Sequence, residues 1–334
     1  MSVFSGTVLL ALLTFLPGFD LAAAAQPQQP GAPGRGPAGG ASSQIRPSGN
    51  LSVLEAQAQA AEGKNNLEEA SIAYRQASMA ARNQGQYQKA LSYGNKALDL
   101  ADKVERPGIQ ASAILALVYA YNRVGQRDKI RELLNKGVEL VKKIPPGAPK
   151  FSIEANMYRE LGVDYLRGKE TQKAIQYISH ALEAQESLLA FFESRKARLP
   201  NPKIIRVNQR SLLLTLQRLG AAYRTAGETD TAVTVYERAV AMVNELGLTT
   251  PLESSLYEEL GKLYLGRKDF DRALTNLTKG LDTAEKTHNA YVIQQASTKI
   301  GDLLRQTKKP SEAIPYYKKA IASVESSRSM LESE

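Results

Sequence analysis

Chemistry has few places to start in this chain of 334 residues. Cysteine is absent, which removes thiol nucleophiles, disulfide staples and thiolate metal sites, and only His180 and His288 supply imidazoles. They fall in different stretches of the chain, and neither has a second His or a carboxylate in a recognised ligand motif beside it, so no metal is expected. HExxH, GxSxG and Walker signatures are missing, and Asp and Glu fall mostly at helical spacings that pair them with Lys or Arg. The glycine-rich piece GAPGRGPAGG has no strand before it and no GK[ST] after it, so it is not a phosphate loop. The expectation is a protein that is not an enzyme and carries no cofactor. What remains is anion recognition: 43 Lys and Arg against 34 Asp and Glu give a formal charge of +9. Such a balance attracts nucleic acid, anionic membranes and acidic polypeptides alike.

The elements that would position those cations follow in order. Residues 1–25 contain the apolar run Val8 to Phe19 and then Ala23, Ala24 and Ala25, a pattern expected of a secretory signal peptide cleaved near Ala25, although no Lys or Arg lies in residues 1–7. The run is shorter than the roughly 20 residues needed to span a bilayer, and no other segment is apolar enough, so no transmembrane segment is expected in the mature chain. A periplasmic or secreted location follows from that reading. Residues 26–50 are rich in Pro, Gly and Gln with almost no apolar bulk, and are expected to form a disordered linker. Leu51, Leu54 and Ala58 then share a helical face, which predicts a leading cap helix over residues 51–67.

From residue 68 to 334 one set of offsets returns six times. The first helix of each unit begins with Tyr74, Ile114, Tyr158, Leu216, Tyr257 and, weakly, Ser297. Three residues on stand Ala77, Leu117, Leu161, Leu219, Leu260 and Ile300, followed directly by Ser78, Val118, Gly162, Gly220, Gly261 and Gly301. The second helix carries Ala90, Ile130, Ala174, Ala232, Ala273 and Ala313, then Gly94, Leu134, Ile178, Tyr236, Leu277 and Tyr317, then Ala97, Gly137, Ala181, Ala239, Gly280 and Ala320. The 3.6 periodicity puts these on one face of each helix, and turns such as Gly125-Gln126-Arg127-Asp128 separate the two. The unit is a helical hairpin, in which Gly or Ala at the crossings admits a close approach while Leu and Tyr fill the space beside it.

These letters resemble the tetratricopeptide repeat, with its large residue, Leu-Gly, Tyr, Ala, aromatic and Ala. The match is strong in units three to six and weaker in the first two, where Ser78 and Ala81 stand for Gly and Tyr, and Ile130 and Gly137 for Ala. Steps of 40, 44, 58, 41 and 40 between the glycine-equivalent positions imply extended repeats. In the longest step Thr171 to Leu199 reads as one helix carrying Leu188, Leu189, Phe191 and Phe192 and stopped at Pro200, which predicts a protruding hairpin near residues 186–210. Its apolar residues either pack within the hairpin or form a docking surface.

The resemblance implies an all-α fold, a right-handed superhelical solenoid of antiparallel helix pairs, and a concave face lined by first-helix residues next to the packing positions. Those positions hold Arg75, Arg82, Asn122, Arg123, Arg159, Arg167, Gln217, Arg218, Arg224, Lys262, Lys299 and Arg305, with Glu160, Glu258, Glu259 and Asp302 interrupting them. The expected partners are therefore protein or peptide ligands, acidic or ending in a carboxylate, held in a basic groove by charge-assisted hydrogen bonds. The Lys and Asn clamp of the family's chaperone-binding members is not matched, since Arg75 pairs with Met79 and Arg159 with Val163 at those places. Two other functions compete with an exported scaffold. Nucleic-acid binding is disfavoured because the arginines lack interleaved exposed aromatics. The final AIASVESSRSMLESE resembles the linker helix of repeat proteins that carry a CHAT protease domain, which suggests a sensor module.

Overall fold

A computed structural model describes residues 51–199, 201–247 and 250–332. The signal-peptide and linker expectations lie outside the described residues. Thirteen α-helices make up the described chain: α1 Leu51–Gly63, α2 Leu67–Asn83, α3 Tyr87–Val104, α4 Pro107–Val124, α5 Asp128–Lys142, α6 Ala148–Arg167, α7 Thr171–Glu193, α8 Lys203–Thr225, α9 Thr229–Leu246, α10 Pro251–Gly266, α11 Phe270–Lys286, α12 Ala290–Gln306 and α13 Pro310–Glu332. No strand occurs among the described residues. After α1 the helices form six consecutive hairpins, and the fold is the all-α, tetratricopeptide-like solenoid type. No helix among them is long and apolar enough to cross a membrane.

Two compact units divide the chain: residues 1–164 with 183–199, and residues 165–182 with 200–334. In the first unit, Ala58 and Ala61 of α1 join Tyr74 of α2, Ala97 and Leu100 of α3 and Ile109 of α4 in one buried cluster. The tyrosine phenol reaches out of that cluster to donate to Glu62 at 3.0 Å. Ser78, the departure from glycine in the first repeat, donates its hydroxyl to the carbonyl of Ala90 at 2.7 Å. Gly94 stands next to that hydroxyl, and a Cβ added there would lie 3.3 Å from Ser78 Oγ and 2.9 Å from Leu117. In the second unit, Leu277 and Leu281 of α11 pack on Val292, Ala296 and Ile300 of α12.

The close approaches fall where the repeated letters put them. A Cβ on Gly220 would sit 2.6 Å from the Tyr236 ring, one on Gly261 2.7 Å from Leu277 and one on Gly301 2.7 Å from Tyr317. Gly280 faces backbone instead, with Glu258 N and Ser254 O both 3.2 Å from its would-be Cβ. Enlarging any of these forces a shift of the partner helix.

Within each hairpin the turn has one left-handed residue, always seven places after the glycine-equivalent position. Gly85, Gly125 and Gly227 fill it in three repeats, but Lys169, Lys268 and Lys308 take φ of 62°, 59° and 60° in the others. Several helix starts are capped: before the first helix of a hairpin Asn66 and Asn289 each accept from a backbone N–H three residues on and Thr250 with Glu253 forms a capping box, and within a hairpin Asp269 accepts from Arg272 N.

One element departs from expectation. Helix α7 stops at Glu193, and residues 196–198 form a single 3-10 turn, so 171–199 is not one helix. The Phe191 carbonyl is occupied by Ser194 Oγ at 3.0 Å and Arg195 Nη1 at 3.2 Å, while Arg195 N turns back to Phe192 O at 3.1 Å, which tightens the last turn and ends it. The apolar residues of this stretch are covered: Leu188 and Phe192 are buried, Leu189 and Phe191 half-buried, and the Arg195 guanidinium lies 3.9 Å above the Phe191 ring.

Candidate functional site

Seen through the repeat register, one position decides the character of the first-helix face. Three residues before the glycine-equivalent letter stand Arg75, Leu115, Arg159, Gln217, Glu258 and Thr298. Helical spacing points this position to the same side in every hairpin, and it is deeply placed: Arg75 is 7% exposed, Arg159 6% and Glu258 1%.

In the first unit this position lines a shallow depression. Arg75 and Met79 of α2, Ser112, Leu115, Ala116 and Tyr119 of α4, and Ile153 and Asn156 of α6 surround it. Burial lowers the Arg75 pKa to about 10, so the guanidinium is still charged at neutral pH while it carries a desolvation cost. Burial likewise pushes the Tyr119 phenol up to about 12 and keeps it a neutral donor. Tyr119 donates to Asn156 Oδ1 at 3.3 Å, and Arg159 Nη2 donates to the same oxygen at 2.6 Å. The Asn156 amide is oriented by its own donation to the Ser152 carbonyl at 2.7 Å. The other terminal nitrogen of Arg159, Nη1, is buried with no acceptor. A buried guanidinium N–H left without a partner costs about 1–3 kcal/mol.

Around this floor stand the other expected cations of the unit. Arg82 is half-buried, its pKa lowered by burial and further by Arg123, and it lies 5.2 Å over the Tyr119 ring. Arg123 lies 5.4 Å over Tyr87 and donates to its hydroxyl at 3.3 Å, and Asn122 donates to Glu160 at 3.4 Å. The depression thus combines the buried Arg75 guanidinium, neutral donors and an apolar wall of Met79, Leu115 and Ile153, and Arg159 touches it through Asn156, whose side-chain oxygen accepts from Arg159 Nη2.

The second unit differs at the same register. Glu258 occupies the buried position, with Lys262 Nζ 2.6 Å from it and 2.9 Å from Glu259. Glu259 is also 3.3 Å from Arg224 Nε. Burial raises the Glu258 pKa in spite of Lys262, because water is excluded more than the ammonium compensates. Arg167, Arg218, Arg224 and Arg305 are exposed, and Gln217 and Lys299 half-buried. The expected stripe is therefore uneven: in the first unit Arg75 and Arg159 are buried, Arg82 and Asn122 half-buried and Arg123 exposed, while the second-unit cations are exposed or half-buried, with Lys262 and Arg224 tied to Glu258 and Glu259.

Tyr119 and Asn156 escaped the sequence reading, yet a signal exists. Tyr119 directly follows the glycine-equivalent Val118, the place Lys262 holds in a later repeat, and Asn156 stands two residues before Tyr158, as Ser112 does before Ile114. No cluster of three or more potential metal-ligating residues occurs among the described residues.

Comparisons with known proteins agree with the fold. Residues 211–286 and 259–328 match two family models described as tetratricopeptide repeat. The crystal structure of BtubC (BKLC) from P. vanneervenii is similar, with a TM-score of 0.52 at 16% identity over 74% of this chain and 91% of that one. The apo form of RapI gives a TM-score of 0.51 at 14% identity over 84% and 99% of the two chains. A Rap protein complexed with Competence and Sporulation Factor gives 0.51 at 12% identity over 85% of each. At these identities the likeness is one of fold. No curated protein sequence matches the chain.

Proposed function

We propose that this chain, whose residues 211–286 and 259–328 match tetratricopeptide-repeat models, is a protein–protein interaction scaffold without catalytic activity that holds an acidic segment of a partner against the first-helix face of its first unit. The observation that carries the reading is the buried Arg159 Nη1 without an acceptor among the described residues, on the guanidinium that holds Asn156 of the depression lined by Arg75. A carboxylate supplies the missing acceptor, and the Met79, Leu115 and Ile153 wall takes an aliphatic neighbour of that carboxylate. Specificity comes from the guanidinium fork, which matches a carboxylate in geometry as well as charge.

The partner is met outside the cytoplasm in this reading, because the apolar run before Ala23, Ala24 and Ala25 has the form of a cleaved export signal. A chain recovered from the periplasm with Gln26 as its first residue supports that step, and a cytoplasmic chain starting at Met1 opposes it.

Fluorescence anisotropy with a labelled oligoglutamate peptide tests the binding. The wild type binds, Arg159→Gln loses most of the affinity, and Arg224→Gln, whose partner is Glu259, changes little. Equal losses in the two variants, or binding of random single-stranded DNA in preference to the peptide, overturn the reading.

A further inference from the structure

The last helix displays a face that its counterpart one repeat earlier buries. Helices α11 and α13 correspond at a step of 40 residues. In α11, Leu281 is 3% exposed and packs on α12; its equivalent in α13, Ile321, is 58% exposed. The pairs Leu274 with Ile314 and Ala284 with Val324 change in the same way, from covered to exposed large apolar side chains. Apolar character is kept where the described residues leave it uncovered, which marks an interaction surface.

Two charges run along this stripe. Lys318 lies between Ile314 and Ile321, and Glu325 lies four residues after Ile321, so the four side chains share one narrow face at about 100° per residue. Neither Lys318 nor Glu325 has an ion-pair partner among the described residues, whereas the adjacent Lys319 is paired with Glu285. The order Lys318, Ile321, Glu325 is complementary to itself in reverse. When two such helices cross antiparallel with Ile321 near the two-fold axis, Lys318 of each copy meets Glu325 of the other. A uniformly acidic or uniformly basic helix on the same face leaves one like-charge contact, which selects against it.

We propose that α13 is a homodimer interface, paired antiparallel with α13 of a second copy of this chain. One helix from each copy buries less than a standard interface, so the dimer is weak and depends on concentration. Sedimentation velocity on the full chain over a concentration series tests this. The wild type moves from monomer to dimer as concentration rises, and Ile321→Glu stays monomeric. Lys318→Glu and Glu325→Lys each weaken dimerisation about tenfold or more, and the Lys318→Glu/Glu325→Lys double variant, which restores opposite charges across the two-fold axis, recovers it. Matching circular dichroism melts show that these exposed changes leave the fold intact. A wild type that is monomeric throughout, an Ile321→Glu variant that still associates, or a double variant no better than the singles each overturns the proposal.

Discussion

Arg159 in the first unit and Glu258 in the second occupy the same repeat position, both almost fully buried, yet their neighbours differ. Four residues after Glu258 stands Lys262, which pairs with it; four residues after Arg159 stands Val163, which offers no charge. The second unit pairs its buried carboxylate with an ammonium, although Glu258 Oε1 and Glu259 Oε2 are buried without a hydrogen-bond partner among the described residues, while the first leaves Arg159 Nη1 without an acceptor among them. A repeat scaffold separates stability from recognition in this way: the Gly, Ala, Leu and Tyr letters recur to stack hairpins, while a single buried position carries whichever charge its surroundings leave open.

The comparison breaks if the pair can be moved without effect. Arg159→Glu with Val163→Lys transplants the Glu258–Lys262 pair into the first unit, and the expected result is a folded chain whose affinity for an acidic peptide falls by about 2–5 kcal/mol, measured by titration calorimetry. Unchanged affinity would place binding elsewhere. Next in size is Arg75→Met. A base whose folded pKa is depressed from 12.5 to about 10 costs stability in full below the folded value, and the cost falls away as pH rises from there to the unfolded value. Chemical denaturation at neutral pH is expected to show Arg75→Met more stable than the wild type by roughly 1–2 kcal/mol, with peptide binding lost. A destabilised variant would show that the contacts Arg75 makes inside the chain outweigh its desolvation.

A smaller effect sharpens the second unit. Glu258 has a raised pKa, so its ionisation costs stability above the folded value and nothing below the ordinary 4.5. The stability of Glu258→Gln relative to wild type is expected to improve as pH rises from about 4.5 to 8, by about 1 kcal/mol or less, while its peptide binding stays unchanged. A difference flat with pH would contradict the burial argument. Smallest is Lys268→Gly: relief of the left-handed backbone at φ 59° is offset in part by glycine's greater freedom when unfolded, and a gain of up to about 1 kcal/mol is expected in a thermal melt. A loss would mean that the Lys268 side chain contributes more than its backbone costs.

Much of this was legible in the letters. The offsets of Gly220, Tyr236, Gly261 and Leu277 encode close approach directly, because only a missing Cβ allows a ring or a branched side chain to sit there. The end of α7 was not, since the bonds from Ser194 and Arg195 to the Phe191 carbonyl depend on side-chain rotamers that composition does not specify. Lysine in the left-handed turn position was equally hidden: glycine announces that backbone, whereas Lys169, Lys268 and Lys308 accept it under the constraint of the hairpin. For the site, the residues Arg75 and Arg159 were visible as cations beside packing letters. Their burial was not, because it depends on how deeply the neighbouring helices cover them, and without burial they look the same as the exposed Arg218 and Arg224.

The central claim is that the buried guanidinium groups of the first unit, rather than the more numerous exposed cations, hold the partner's carboxylate. Arginine side-chain resonances in a 15N-correlated NMR spectrum, assigned by single substitutions, report on each guanidinium as an acidic peptide is added. The Arg159 and Arg75 signals are expected to shift and saturate together while those of Arg218 and Arg224 stay in place. Movement of the Arg218 and Arg224 signals with Arg75 and Arg159 unmoved would contradict the account.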